Sequence, residues 1–340
     1  MQRGQTLTYN SRPRIRASAA IGGGKEGAGP LGADFDLITQ DDLMGQDTWE
    51  QAESEMSLRA VELCLSKGGL TSGAVEALLC GDLLNQIIAS GFAARQLGAP
   101  FIGLYGACST MVEALVLGTA LVDAGFRKNC VCAASSHFCA AERQYRYPLE
   151  LGNQRPPSAQ WTATAAGAAL VDGEDRPGLA RVTHGTLGKV IDYRIKDANH
   201  MGAAMAPAVA DTLCAHLRDL DRSPADYDLI VTGDLGYIGR KLLLELVKAR
   251  GVPIADAKLI DCGASLYDIS QDTHAGGSGC GCIASILACH FLPMLESRSV
   301  HRLLALGSGA MLSPTSAMQG ESIPSISYAV ALEADDEWKS

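Results

Sequence analysis

The chain carries one structural plan twice, and that duplication limits its possible folds more than any other feature. Ala77-Leu78-Leu79-Cys80-Gly81-Asp82-Leu83 is matched by Leu229-Ile230-Val231-Thr232-Gly233-Asp234-Leu235, each a short apolar run closing on Gly-Asp-Leu. An amphipathic stretch precedes each run. Over residues 47–67, Trp49, Ala52, Met56, Ala60 and Leu63 recur at helical spacing, as do Val209, Leu213, His216 and Leu217 over 206–220. Each run then leads through a helix and a strand to a turn of small residues that opens an apolar helix. The turns are Gly106-Ala107-Cys108-Ser109-Thr110 and Gly276-Gly277-Ser278-Gly279-Cys280-Gly281-Cys282. The helices that follow, over 111–124 and 283–296, are apolar almost all round, as a helix buried between layers must be. Strands ending in small residues come next, over 130–136 and 303–309. Aligning those ends sets Cys108 against Cys280 and Ser136 against Gly309.

This plan predicts a layered αβαβα protein of two pseudo-duplicated halves, with two central helices sandwiched between two sheets. The two small-residue turns should meet near a pseudo-twofold axis. The halves are expected over 1–176 and 177–340, divided in the charged, turn-rich stretch 172–178. Residues 1–16 and 335–340 read as polar, mobile tails.

Composition narrows the function. With 47% hydrophobic residues, only 5% aromatic ones and 37 glycines in 340 residues, the core must be built from small aliphatic side chains with backbones in close approach. The net charge of -10, with no local cluster of Lys or Arg, argues against a nucleic-acid partner and does not invite anionic lipid. Eleven cysteines are present, but Cys64, Cys108, Cys130, Cys132, Cys214 and Cys289 lie in apolar segments. The opening residues are polar, so no signal peptide and a reducing compartment are expected. Cys280-Gly281-Cys282 has no second cysteine pair at ligand spacing and only His274 nearby, so no metal site is expected. The apolar runs 111–122 and 283–292 are broken by Glu113 and His290 and fall short of the roughly 20 residues of a membrane span.

The chemistry centres on Cys108. A thiol at a strand-to-helix junction meets unpaired amides and the positive end of the helix dipole, which favour a thiolate, an acyl group on sulfur or a neighbouring carboxylate. A small core cysteine would occupy the same place. His137 ends the following strand, where it would either serve Cys108 and a bound carboxylate or make an ordinary strand-end hydrogen bond. Asp82 and Asn85 follow a buried strand, where ligands of open α/β sheets collect. Asp82 would equally cap the next helix, over 83–97, and its repetition at Asp234 points that way.

The whole plan resembles the thiolase-like fold, and Ala107-Cys108-Ser109-Thr110 resembles the nucleophile turn of the ketoacyl synthase III branch. Other strings are more specific: Gly29-Pro30-Leu31-Gly32, Gly81-Asp82-Leu83-Leu84-Asn85-Gln86, Ser135-Ser136-His137 and Ala141-Glu142-Arg143-Gln144-Tyr145-Arg146-Tyr147-Pro148. With Met201-Gly202-Ala203-Ala204-Met205-Ala206-Pro207-Ala208, Gly276-Gly277-Ser278-Gly279-Cys280 and Leu312-Ser313-Pro314-Thr315, they resemble the stage V sporulation protein AD family of spore-forming Firmicutes. The resemblance runs from about residue 15 to 332. It implies a protein that binds dipicolinic acid, usually moved with calcium, in a thiolase-type pocket with Cys108 at its base. It further implies a place in the SpoVA machinery that takes dipicolinate into the developing spore and releases it at germination. The family sits at the spore inner membrane through SpoVA membrane subunits, with no span of its own and no resident cofactor.

Condensing enzymes of this fold take a histidine after the first strand of the second half and an asparagine from the Gly-rich turn, to stabilise an oxyanion. Here Thr232-Gly233-Asp234-Leu235 and Gly276-Gly277-Ser278-Gly279 stand instead, and an aspartate repels a developing oxyanion. The chain is therefore read as a non-enzyme. The alternatives are an acyltransferase or thioesterase using Cys108 and His137, and a docking module with a vestigial pocket. A flat dicarboxylate needs hydrogen-bond donors and apolar walls. Arg143 and Arg146 offer forked donors, or else pair with Glu142 or Glu150 at an interface. The amides of Ser109, Thr110, Ser278 and Gly279 are the favoured donors, since glycine at 276, 277, 279 and 281 admits a ligand to the main chain. The ligand-binding set read from sequence is thus Asp82, Asn85, Cys108, Ser109, His137, Arg143, Asp234, Gly277, Ser278 and Gly279. Asp41-Asp42 and the acidic stretch 333–337 lack the spacing of a calcium loop and read as solvated faces. Thiolase-like proteins commonly dimerise through the strand after the nucleophile helix, here 129–134, so a homodimer is allowed.

Overall fold

The computed structural model describes residues 4–145, 154–174 and 176–335. The first half contributes strands β1 (Arg14–Gly22), β2 (Leu78–Gly81), β3 (Phe101–Gly103), β4 (Asn129–Ser136) and β5 (Ala165–Asp172). Its helices are α1 (Trp49–Lys67), α2 (Ile88–Leu97), α3 (Thr110–Asp123) and α4 (Phe138–Tyr145). The second half contributes β6 (Ala180–Thr186), β7 (Leu229–Thr232), β8 (Leu259–Asp261), β9 (Arg302–Ala310) and β10 (Ser325–Glu333). With them come α5 (Met201–Leu220), α6 (Gly236–Ala249) and α7 (Cys280–Ile286).

The strand orders, β3-β2-β4-β5-β1 and β8-β7-β9-β10-β6, are the same plan five strands apart. In each half the first three strands of that order run parallel and the remaining pairings are antiparallel. The two sheets are not fully separate, as the sequence plan would have them. They join through two residue pairs, Arg14↔Arg181 and Ile15↔Ala180. Asp335 straddles that seam, accepting from Arg14 Nε at 2.8 Å and Arg181 Nε at 2.7 Å. Residues expected as tails are thereby tied down: Thr6–Thr8 also pairs antiparallel with β6, and so lies against the second half.

Strands β4 and β5 are buried along their whole length, because α1 covers one face while α3 and α7 cover the other. That double burial explains their unbroken runs of small and apolar residues. Helix α3 touches strands of both halves, and α7 crosses over to rest on β5, β4 and β1. Each central turn is walled by the other half's strand end. The Gly281 amide donates to Ser136 Oγ at 3.0 Å, while β9 brings Gly307 and Gly309 against Ser109 and Gly106.

Several boundaries differ from the sequence reading, for local reasons. Helix α1 starts at Trp49, where the Thr48 side chain accepts from the Gln51 amide. Helix α2 starts at Ile88, not at 83, because Gln86 and Ile87 both take left-handed backbone angles ahead of it. Helix α5 begins at Met201, and α7 widens into a π turn over Leu287–Phe291 before Leu292–Glu296. Strand β4 cannot be a dimer edge, since β2 and β5 bond it on both sides and all eight residues are buried. The edge of that half is β3, whose Phe101 and Ile102 are exposed. Among the described residues no helix is long and apolar enough to cross a membrane.

Candidate functional site

The Cys108 turn is locked by its own hydroxyls. Ala107 takes a left-handed φ of 49°, Ser109 Oγ donates to the Gly106 carbonyl at 2.6 Å, and Thr110 Oγ1 donates to that of Ala107 at 2.7 Å. Across the pseudo-axis, the Cys280 thiol donates to the Ala107 carbonyl at 3.0 Å, so the two turns do meet. Cys108 is buried, with Sγ 4.0 Å from Ser278 Oγ.

Asp234, at the end of β7, dominates the surroundings of that thiol. One carboxylate oxygen accepts from Ser308 Oγ at 2.7 Å. The other accepts from Ser278 Oγ and from the Gly279 amide, both at 2.9 Å. Burial pushes the Cys108 thiol well above its ordinary range, and the charge of Asp234 pushes it the same way. Burial also raises Asp234, against the pull of its hydrogen bonds. The expected thiolate is therefore replaced by a protonated, buried thiol beside Asp234. Behind it, Asp261 accepts from Thr232 Oγ1 at 2.7 Å, from the Leu235 and Gly236 amides at 2.9 Å and from the Ala264 amide at 3.0 Å. Burial lifts its carboxyl to about 6.

Two neighbouring spaces lie on this side of the molecule, and Cys108 lines the inner one. The inner cavity, about 50 Å³, is lined by Leu83, Tyr105, Cys108, Tyr145, Met205 and Ser278 among others. The outer cleft, about 420 Å³, is lined by Asn85, Gln86, Ile87 and Ser313. Tyr105, Tyr145 and Leu312 belong to both. The two phenols hydrogen-bond each other at 2.9 Å, and Tyr145 also bonds the Leu83 carbonyl, so this pair forms the partition. The left-handed Gln86 and Ile87 floor the cleft, and a β-branched residue in that conformation marks a strained turn.

Of the residues singled out from sequence, Cys108 and Ser278 line the inner cavity, Asn85 lines the cleft, and Asp234 and Gly279 stand directly behind Ser278. The others are placed elsewhere. Asp82 spends its carboxylate on the Leu84 amide at 2.8 Å and on Ser90, whose amide and hydroxyl donate at 2.8 and 2.7 Å, holding the turn into α2. His137 is buried away from the cavity lining, with Nε2 2.8 Å from the Asp42 carbonyl, and burial lowers its pKa, keeping it neutral. Arg143 pairs with Glu50 and lies over the Trp49 ring. Arg146 and Glu150 fall outside the described residues.

Three of the four amides favoured as ligand donors are already engaged: Ser109 N donates to Gly106 O at 3.1 Å, Thr110 N to Ala107 O and Gly279 N to Asp234. Gly277 gives its carbonyl to Gln160 Nε2 at 2.7 Å. Sequence reasoning missed Tyr105, Asp261 and Gln160. The one available signal was Leu259-Ile260-Asp261, a short strand closing on a carboxylate just before a small-residue turn. Among the described residues no three metal-ligating side chains come together.

A cysteine turn opening a helix held between two copies of one mixed sheet defines the thiolase-like fold. Solved structures agree in architecture, at identities that speak for the fold alone. Human mitochondrial 3-ketoacyl-CoA thiolase in complex with CoA matches at TM-score 0.60 and 14% identity, covering 97% of this chain and 99% of that one. OleA from Xanthomonas campestris matches at 0.62 and 12%, covering 96% and 99%. The 3-oxoacyl-[acyl-carrier-protein] synthase III from Aquifex aeolicus matches at 0.53 and 12%, covering 94% and 99%. Within that class the sequence is more specific. The model of the family Stage V sporulation protein AD (SpoVAD) matches residues 3–333. Stage V sporulation protein AD of Bacillus subtilis (strain 168) is 41% identical over 329 residues, 97% of this chain and 96% of that protein. The chain belongs to the stage V sporulation protein AD family.

Proposed function

We propose that this chain is a non-catalytic binding subunit of the SpoVA machinery, which holds dipicolinate at the pocket outside Cys108 during its passage into the forespore and out at germination. The observation that carries this reading is Asp234. Where a condensing enzyme needs a group that welcomes negative charge on oxygen, this pocket has a buried carboxyl group, which adds to burial in raising the thiol. His137, the remaining candidate base, is turned to Asp42. The neutral thiol and the missing base favour binding over acyl transfer. With no span among the described residues, the protein would be peripheral, held at the inner membrane by SpoVA membrane subunits.

The lining also bears on the form of the ligand. The inner cavity and the cleft present hydroxyls and amides, from Tyr105, Tyr145, Ser278, Asn85, Gln86 and Ser313, and no Lys or Arg among the described lining residues. A free dianion would lose its hydration there without a counter-charge, with Asp234 behind it. The one-to-one calcium chelate is neutral, presents the same flat ring, and fits that lining better. At about 50 Å³ the inner cavity is too small for the ring, which would stand in the outer cleft against Tyr105 and Tyr145.

The test is calorimetric titration with dipicolinate, with and without calcium, on wild type, Cys108→Ala and Tyr105→Ala. One-site binding that requires calcium, survives Cys108→Ala and is lost in Tyr105→Ala is expected. Covalent labelling of Cys108 by an acyl-CoA, in a folded protein that gives no heat with either ligand form, would replace this reading with acyl transfer.

A further inference from the structure

A pocket of about 300 Å³ lies between α1 and α2, which pack on each other. Gln51, Ser54 and Glu55 line it from α1, and Phe92, Arg95 and Gln96 line it from α2. Each set is spaced i, i+3, i+4, which places its three side chains on one face of its helix. Facing helices ordinarily meet through apolar side chains, as Met56, Ala93, Ala94 and Leu97 of the same two helices do. Here five of the six are polar or charged, and Gln46, from the turn before α1, adds a third carboxamide. The pocket shares no lining residue with the Cys108 cavity or with its outer cleft.

The polar groups around this pocket find almost no partner within the protein. Ser54 is only 3% exposed, yet its Oγ has no hydrogen-bond partner, a state that a buried hydroxyl rarely keeps. Among the described residues, Gln46, Gln51 and Gln96 enter hydrogen bonds through the main chain alone. Arg95 makes no ion pair among them either, and its guanidinium rests over the Phe92 ring, 4.8 Å from the centroid. Glu55 is the exception. Its Oε1 accepts from Arg59 Nε at 2.5 Å, which leaves Oε2 without a bond among the described residues. One cation and one carboxylate oxygen therefore line the same pocket without being paired to each other.

We propose that this pocket binds a free α-amino acid with a short, uncharged polar side chain. Its carboxylate would pair with Arg95 and its ammonium with Glu55 Oε2, while the side chain runs along the Phe92 ring toward the carboxamides. A simple anion would use Arg95 and be repelled by Glu55, and a simple cation would do the reverse. A sugar would satisfy the carboxamides and leave both charges unanswered. A peptide terminus brings only one of the two charges. The zwitterion answers both at once and needs no net field of either sign. It also supplies the hydrogen-bonding partner that Ser54 Oγ lacks. The size agrees, since about 300 Å³ is the low end of small-molecule pockets.

The test is calorimetric titration of the full chain with L-glutamine, carried to millimolar concentration. The expected result is saturable one-site binding that falls at least tenfold in Arg95→Met and, separately, in Glu55→Gln, as the loss of a charge-assisted hydrogen bond requires. Arg95 is exposed and Glu55 gives up only a surface ion pair, so both variants should fold, and circular dichroism checks them. Glutaramic acid, which lacks the ammonium, and 4-aminobutanamide, which lacks the carboxylate, are each expected to bind at least tenfold more weakly. Absence of heat with the wild-type protein, or unchanged affinity in either folded variant, would overturn the proposal. So would glutaramic acid binding as tightly as L-glutamine, which would mark a plain carboxylate site. Displacement of L-glutamine by calcium dipicolinate would overturn it as well, by placing the amino acid in the cleft beside Tyr105.

Discussion

Replacing Gly279 by alanine should cost far more than the loss of a flexible residue. Gly279 has φ 101° and ψ 161°, a region that residues with a Cβ scarcely enter, at a cost of about 1–3 kcal/mol. The added methyl would stand 2.6 Å from Ser136 Oγ and 3.2 Å from Thr162 Cγ2. Ser136 Oγ cannot yield freely, because it donates to the Ala163 carbonyl at 2.7 Å and accepts from the Gly281 amide at 3.0 Å. Displacing it forfeits two buried hydrogen bonds, roughly 1 kcal/mol each. The sum is about 3–5 kcal/mol, a large share of the stability of an ordinary domain. Gly98→Ala supplies the control. Gly98 is also left-handed, at φ 72° and ψ 16°, but an added Cβ meets nothing within 4 Å, so backbone strain of about 1–2 kcal/mol is the whole cost. Urea unfolding followed by far-UV circular dichroism would measure both variants at constant slope. Equal destabilisation of the two, within about 0.5 kcal/mol, would show that the Ser136 contact contributes nothing and would refute the argument.

Other outcomes follow from single groups. Asp234→Asn removes the charge that adds to burial in raising the Cys108 thiol, so iodoacetamide should alkylate Cys108 faster than in wild type at the same pH; an unchanged rate would assign the whole effect to burial. Asp82→Ala should lower stability by about 2 kcal/mol through the lost turn into α2, while ligand affinity in calorimetry stays within about threefold. A tenfold loss of affinity at unchanged stability would return Asp82 to the pocket. His216, bonded to Thr186 and Tyr227, is lowered by burial from 6.5 to about 3. The unfolded chain takes up that proton first, so stability should be lost as pH falls below about 6.5, by about 2 kcal/mol at pH 5. His184, lowered by burial to about 4, acts in the same direction. Urea midpoints at pH 7 and pH 5 check this, and a smaller drop is expected in His216→Gln.

The duplication was legible because its signals are local. Gly-Asp-Leu, the small-residue turns and the small-ended strands each declare a strand end, and their order fixes the sheet order. What was not legible depends on residues distant in sequence. Asp82 and Asp234 sit in matching strings, yet one is claimed by Ser90 and the other by Ser278 and Ser308. No inspection of the strings alone separates a cap from a pocket wall. Arg143 finds Glu50, 93 residues away, and the partition at Tyr105 forms only because Tyr145 reaches it from α4. The late start of α2 runs against residue preference, since Gln86 and Ile87 are poor choices for left-handed backbone.

The walling of each central turn by the opposite half ties the inheritance of the two copies together. A side chain added at Gly307 or Gly309 is a lesion of the Cys108 turn, although it lies some 200 residues downstream; a larger residue at Ser136 is a lesion of the Gly279 turn. Compensating changes for either should therefore arise across the pseudo-axis and not within the half that was struck. Two halves built on one plan are free to differ in every exposed loop, but at these three strand-end positions, Ser136, Gly307 and Gly309, a change in one half has to be met in the other.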